Sequence, residues 1–220
     1  MTSRELAAPA PIDIDDERRS ARKRRAILQA ATTTFLDKGY LGTSMDEIAA
    51  LARVSKQTVY KQFADKERLF VEIVTSTVNE VSDPVYEEVQ RVRDSGDIEA
   101  DLRDLAYRQL ARVMQPRLLQ LRRLVIGEAG RFPELGCAFY DRGPGRTIAA
   151  LATAFESLAA RGVLQIEDPE VAAAQFNWLI MSAPLNQAML LGTNETPTPE
   201  ELTRHAERGV RTFLAAYRNP

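Results

Sequence analysis

The sequence predicts an all-α fold of nine or ten helices, on three observations. Apolar residues recur at helical spacing, as where Ile27, Leu28, Ala31 and Phe35 line one face of a basic segment. Helix-capping residues stand at short intervals before such stretches, among them Ser44, Ser55, Asp97 and Thr198. Runs that alternate apolar and polar residues, the mark of a half-buried strand, are nearly absent.

Each element follows from local signals. Residues 1–17 are acidic, proline-containing and aperiodic, and read as a disordered arm. A basic helix spans 18–38 and closes at Gly39, and two short helices occupy 44–63. A fourth starts after Asp65 and runs through Leu69, Phe70, Ile73 and Val74 towards Ser82. Asp83-Pro84 either kinks this helix or opens another, because proline suits a first turn but not an interior. Asp97 caps a helix bearing Leu102, Leu105, Leu110 and Met114, which Pro116 interrupts. After a helix over 118–127, Phe132-Pro133 and Gly143-Pro144-Gly145 mark turns. A helix over 147–161 ends at Gly162, and Asp168-Pro169-Glu170 opens a long apolar helix that stops at Gly192. Thr198 and Glu201 form a capping box for the last helix, which carries Leu202, Val210, Phe213, Leu214 and Tyr217.

Composition narrows the class. With 220 residues, 45% hydrophobic and 27% charged, the chain can build one large domain or two small ones. The single cysteine, Cys137, excludes an internal disulfide framework and reads as a small packed residue in a reducing, cytoplasmic setting. The short apolar stretch near Leu6 is followed by Pro9 and Pro11, unlike a secretory signal. No apolar run approaches the roughly 20 residues that cross a bilayer, so no membrane partner is expected.

The net charge of −2 is unevenly spread. Residues 1–17 hold one basic and five acidic residues; residues 18–70 hold twelve basic and five acidic; residues 71–220 hold sixteen basic and twenty-one acidic. A balance of +7 in one segment of an acidic chain marks an electrostatic footprint for phosphates.

That segment contains a helix-turn-helix pattern over 45–63. Ser44 and Glu47 form a capping box, and Ile48, Leu51 and Ala52 supply an inward apolar stripe. Small Ala49 and Ala52 let a second helix approach, and Val54 packs at the turn. Ser55 caps the second helix, 56–62, whose Val59 and Phe63 face the core. Lys56, Gln57, Thr58, Tyr60 and Lys61 remain outside. Lysines neutralise phosphates, Gln57 can pair with a base edge, and Thr58 can touch a thymine methyl. Lys66, just after the cap Asp65, is placed for a backbone phosphate. Arg22 and Arg25, in the run 18–25, track the DNA backbone or enter the minor groove. Thr43 and Ser44, at the entry to the first short helix, complete the candidate DNA-binding set.

Residues 24–70 resemble the DNA-binding domain of the TetR family of bacterial repressors. The match runs through Ile27, Ala30-Ala31, Phe35, Gly39-Tyr40, Thr43, Ile48-Ala49, Ala52, Val54-Ser55, Thr58-Val59-Tyr60, Phe63, Lys66-Glu67 and Leu69. The stretch 124–145 also resembles one C-terminal subtype of that family. The resemblance implies a homodimer with an N-terminal three-helix DNA-binding domain and a larger helical domain for ligand binding and dimerisation. The boundaries expected are 18–83 and 84–220. One departure is Arg53, where the family has glycine at a positive-φ turn. A side chain there would add roughly 1 kcal/mol of strain, so either the turn is slightly re-formed, the preferred expectation, or Arg53 accepts the strain while reaching towards a phosphate.

The chain thus reads as a repressor that binds double-stranded operator DNA and is released by a small, apolar effector. The alternative is a DNA-binding protein without a ligand, its C-terminal domain serving only dimerisation. The last two helices suit an isologous interface. Leu105, Tyr107, Leu110, Met114, Glu128, Phe132, Phe139, Asn177 and Trp178 are the candidate pocket residues. Gly143-Pro144-Gly145 lacks the ending of a phosphate loop, and His205 has no Cys or His partner nearby in sequence. No catalytic constellation, metal site or cofactor motif is visible, so an enzyme is not expected.

Overall fold

The computed structural model describes residues 14–191 and 197–219. It divides into two compact units, one ending at Phe70 and one starting at Val71. The described residues hold ten α-helices and no strand beyond an isolated bridge between Leu164 and Arg218.

The N-terminal unit contains α1 (Ile14–Gly42), α2 (Met45–Leu51), α3 (Lys56–Gln62) and the first turn of α4 (Lys66–Val92). Ile27, Ala30, Ala31 and Phe35 recur at three- and four-residue spacing along α1, and all are buried. Phe35, Tyr40 and Phe70 form an aromatic cluster with ring centroids 4.8–5.8 Å apart. Gly39, at φ 73°, breaks the helical path near the end of α1, where sequence places the stop. The start differs: 14–17 are already helical, although they belong by composition to the acidic arm, whose residues 1–13 lie outside the described part. Basic residues 18–25 continue that helix, so its first turns have a helix to extend rather than to nucleate.

The turn between α2 and α3 keeps its expected geometry despite Arg53. Val54 N–H donates to Ala49 O (3.0 Å) and Arg53 N–H to Ala50 O (3.1 Å), the paired bonds of a Schellman C-cap. Arg53 adopts φ 54°. The turn is therefore not re-formed. The two bonds and the burial of Ile48 and Ala49 hold it in place against the side chain's strain.

Leu51 is also not inward; it is 55% exposed. At about 100° per residue, Met45, Ile48, Ala49 and Ala52 share one arc, and Leu51 falls about 110° from its centre. The capping box at α2 is half made. Ser44 Oγ accepts from Glu47 N–H (3.2 Å), but the Glu47 carboxylate pairs with Lys38.

The C-terminal unit comprises the rest of α4, then α5 (Ile98–Val113), α6 (Pro116–Glu128), α7 (Pro133–Tyr140), a π-helical turn (Asp141–Gly145), α8 (Arg146–Ala160), α9 (Pro169–Leu191) and α10 (Pro199–Tyr217). Asp97 and Thr198 cap α5 and α10 as expected, the latter with the full reciprocal box. Pro84 lies inside α4 and opens no new helix, and the two units part at Phe70/Val71, within the same helix. Val85, Val89 and Val92 beyond the proline are all buried, and that burial offsets the roughly 3 kcal/mol penalty of an interior proline. Glu88, buried on the same stretch, accepts two bonds from Arg112 of α5 (2.7 and 2.9 Å) and lies 3.5 Å from Arg108.

Phe155, Phe176 and Phe213, from α8, α9 and α10, form the centre of this unit's core, with centroids 5.0–5.7 Å apart. Gly209 lets α10 approach α9: a Cβ there would overlap Ile180 Cδ1, in a fully buried side chain. Cys137 is exposed rather than packed, on a short helix that buries only Leu135 and Phe139.

Two stability changes follow. Arg53→Gly should raise unfolding free energy in urea by about 1 kcal/mol, because only glycine takes this φ without strain. Gly209→Ala should lower it by about 1–3 kcal/mol, and adding Ile180→Val should recover part of the loss by removing the overlapping methyl. Strictly additive losses in the double variant would refute the overlap.

Candidate functional site

Two regions concentrate chemistry, one in each unit. In the N-terminal unit, α3 is held by the buried Val59 and by Phe63, its C-terminal neighbour. This leaves Gln57 and Lys61 exposed and Tyr60 44% exposed, around a shallow groove that Thr58 also lines. Ser55 Oγ accepts from Thr58 N–H (3.1 Å) and lies 2.8 Å from Thr58 Oγ1, so both hydroxyls help to start the helix.

Several predicted contacts have other partners. Lys56 pairs with Asp46 at 2.7 Å, and that hydrogen bond raises its pKa above the ordinary lysine value. Lys38 likewise holds the Glu47 carboxyl below the usual carboxylate range. Thr43 is not a surface residue. It is buried, and its hydroxyl donates to Gly39 O (2.8 Å) and approaches Thr34 O (3.3 Å). Lys66 turns back: its ammonium donates to Tyr40 O and Thr43 O, both at 2.9 Å, and lies 4.4 Å from the Tyr40 ring centroid. These carbonyls lie where α1 ends, and at Tyr40 O the ammonium joins the Thr43 N–H, which donates at 3.4 Å. Arg22 and Arg25 are exposed on α1, while Arg24 stacks over Phe63 (4.5 Å) and Ser20 Oγ accepts from Gln62.

In the C-terminal unit, a cavity with an empty volume of about 530 Å³, its open mouth included, lies among α4, α5, α6, α7, the π-helical turn, α8 and α9. Val78, Val81 and Val85 of α4 and Met181 and Leu185 of α9 make much of its wall apolar. Polar side chains from five helices, Ser82, Gln109, Arg122, Thr147 and Asn177, interrupt it. Gln109 Nε2 donates to Asn177 Oδ1 (3.0 Å), both residues being buried. Gln109 Oε1, Asn177 Nδ2, Ser82 Oγ and Arg122 Nε are buried with no hydrogen-bond partner. Desolvation pushes the Arg122 guanidinium below the ordinary arginine pKa.

Of the pocket residues expected from sequence, Phe139, Asn177 and Trp178 line this cavity. Leu105, Leu110 and Met114 do not; they are buried in the core, and Tyr107 packs against it. Glu128 ends α6 and Phe132 caps α7, both half-buried away from the cavity. Sequence reading missed Ser82, Gln109 and Arg122. Gln109 and Arg122 fall among apolar neighbours of amphipathic helices, a signal that periodicity could have flagged as polar residues on a buried face.

Residues 27–73 match the family described as bacterial regulatory proteins, tetR family, and 100–219 match the C-terminal domain of AefR-like transcriptional repressors. The chain belongs to the TetR family. A putative TetR-family transcriptional regulator of known structure from Mesorhizobium loti MAFF303099 is 45% identical, with a TM-score of 0.84 over 91% of this chain and 98% of that one. The flavonoid-responsive regulator FrrA is 34% identical, with a TM-score of 0.71 over 90% and 98%. Matches to curated relatives are shorter. YhgD of Bacillus subtilis (strain 168), an uncharacterized HTH-type transcriptional regulator, is 41% identical over 68 residues, 31% of this chain and 36% of that protein. The HTH-type transcriptional activator FasR of Mycolicibacterium smegmatis is 34% identical over 73 residues, 33% of each chain. The chain thus matches about a third of the length of these curated relatives.

The TetR family consists of DNA-binding transcription regulators, not enzymes, and its members form dimers and bind small ligands. No helix among the described residues is long and apolar enough to cross a membrane, and no cluster of His, Cys, Asp or Glu among them could hold a metal.

The Gln109–Asn177 pair gives a test of the cavity's polar geometry. Asn177→Leu should destabilise the protein by about 1–3 kcal/mol, because it orphans Gln109 in an apolar wall. Combining it with Gln109→Met should recover most of that loss, measured as a double-mutant cycle in urea.

Proposed function

We propose that the protein is a ligand-responsive repressor that acts as a homodimer in the cytoplasm. The observation that carries the ligand-responsive part is the cavity, four of whose lining residues each hold a buried polar atom without a hydrogen-bond partner. Orphaned donors and acceptors in an apolar wall are unfavourable unless something completes them. This favours an effector over a C-terminal domain that only dimerises.

On this reading, the α3 helices of two protomers enter successive major grooves roughly 34–36 Å apart on a near-palindromic operator. Gln57, Thr58 and Tyr60 face base edges and the sugar-phosphate wall, and Lys61 neutralises a phosphate. Lys56 serves the same end by exchanging Asp46 for a phosphate. Arg22 and Arg25 extend the basic surface along α1 as helical residues. A minor-groove arm would first have to unwind the turn that holds Arg24 on Phe63.

Dimerisation would use α9 and α10. Val171, Trp178 and Leu179 are exposed on α9, each 38–47% accessible, on a helix with no charged residue after Glu170. These apolar side chains share an uncharged face with exposed Gln175 and Ser182, and a second copy of the same face would cover them isologously. The effector, a small molecule with a largely apolar body, would favour a spacing of the DNA-binding units that no longer fits the operator. To do so it must bind that state more tightly than the DNA-bound one.

Operator fragments selected from genomic DNA give the test. Lys61→Ala, present in both protomers, should weaken binding across sequences and reduce the salt slope by about two, while Gln57→Ala should relax preference at one base pair in each half-site. Binding unaffected by both changes would remove α3 from the interface.

A further inference from the structure

The cavity contains a positive charge with no negative partner. Arg122 of α6 lines it, its Nε buried and unbonded, and no Asp or Glu is among the lining residues. The guanidinium lies 5.0 Å from the ring centroid of Phe139, which also lines the cavity. An aromatic face attracts a cation but offers no lone pair to five N–H donors. Arg112, half-buried on α5, is matched by the carboxylate of Glu88 on the neighbouring helix. Arg122 has no such match. On the same lining, Gln109 Oε1 and Asn177 Nδ2 add one free acceptor and one free donor, and exchanging the two amides would leave the same inventory.

We propose that the effector is an organic anion. It has an apolar body that fills the wall of valines, Met181 and Leu185, and one carboxylate or comparable ionised group that accepts from Arg122. A neutral donor–acceptor group on the same molecule meets Gln109 and Asn177. The assignment rests on the ligand-responsive reading above and specifies the chemistry of its ligand. Charge-assisted bonds to guanidinium are the strong, directional kind, and in a mainly apolar cavity they discriminate against neutral isosteres. The general charge of the domain cannot supply this selectivity, because residues 71–220 are net acidic.

The experiment uses the full chain with two matched pairs, 2-naphthoate against 2-naphthamide and 3-phenylpropanoate against 3-phenylpropanamide. Binding is read by calorimetry and release from operator by anisotropy. The carboxylates should bind on the order of tenfold more tightly than their amides, the value of one charge-assisted bond. Arg122→Met should remove that preference, and Arg122→Lys should retain part of it. Without ligand, Arg122→Met should melt no lower than the parent protein, because it removes a desolvated, unpaired charge. Amides that bind as well as acids and still release operator would overturn the anion assignment and leave the ligand-responsive reading standing. A substantially lower melting point for Arg122→Met would give the guanidinium a structural role and also overturn it. Failure of both series to bind would count against both conclusions.

Discussion

A 23-residue helix whose only charge lies in its first turn constrains the whole C-terminal unit. From Val171 to Leu191, α9 has no ionisable side chain, and its polar residues other than Asn177 (Gln175, Ser182, Asn186 and Gln187) stand on exposed positions. The apolar remainder must be covered or stay in water. One face enters the core through Ala172, Ala173, Phe176 and Ile180, where α8 and α10 meet it. A second face, with Asn177, Met181 and Leu185, walls the cavity. A third presents Leu179 and Val171 to solvent in the single chain. The α5 and α10 helices, the Gly209 approach and the proposed interface all follow from covering this one segment.

Polar groups are distributed with the same economy. Six buried side-chain atoms among the described residues have no partner, and four of them line the cavity. Were they remnants of imperfect packing, they would scatter through the unit. Their concentration in one place is the pattern of a site kept ready for a ligand at some expense of stability. Outside the cavity, the buried Glu88 carboxylate is matched by Arg112, and Arg123, whose Nε is unbonded, donates to Ala188 O.

The fold was legible because its signals are local. Caps at Ser44, Ser55, Asp97 and Thr198, and stops at Gly39 and Gly162, need only a few neighbouring residues to act. The cavity was less so. Leu105, Leu110 and Phe139 look alike as apolar residues on amphipathic helices, and only the crossing of several helices decides which of them meets empty space. The DNA-binding face lies between these cases. Periodicity separates Val59 from Tyr60, but cannot show that Thr43 turns in or that Lys66 folds onto the carbonyls of Tyr40 and Thr43. Such long side chains choose partners that sequence spacing does not name.

The chain makes the same C-cap twice, and the two copies differ in where their free energy is lost. At the end of α8, Gly162 sits at φ 73°, with Val163 N–H donating to Leu158 O and Gly162 N–H to Ala159 O. At the end of α2, Arg53 occupies the equivalent place at φ 54°. Glycine meets the geometry without strain but brings a wide unfolded ensemble that folding must collapse. Arginine bears the strain yet starts from a narrower ensemble, so less backbone entropy is lost on ordering it. The helix-turn-helix turn is therefore enthalpically tense and entropically economical, whereas its counterpart before α9 is the reverse. The two turns should accordingly respond differently to temperature, although their hydrogen bonds are the same.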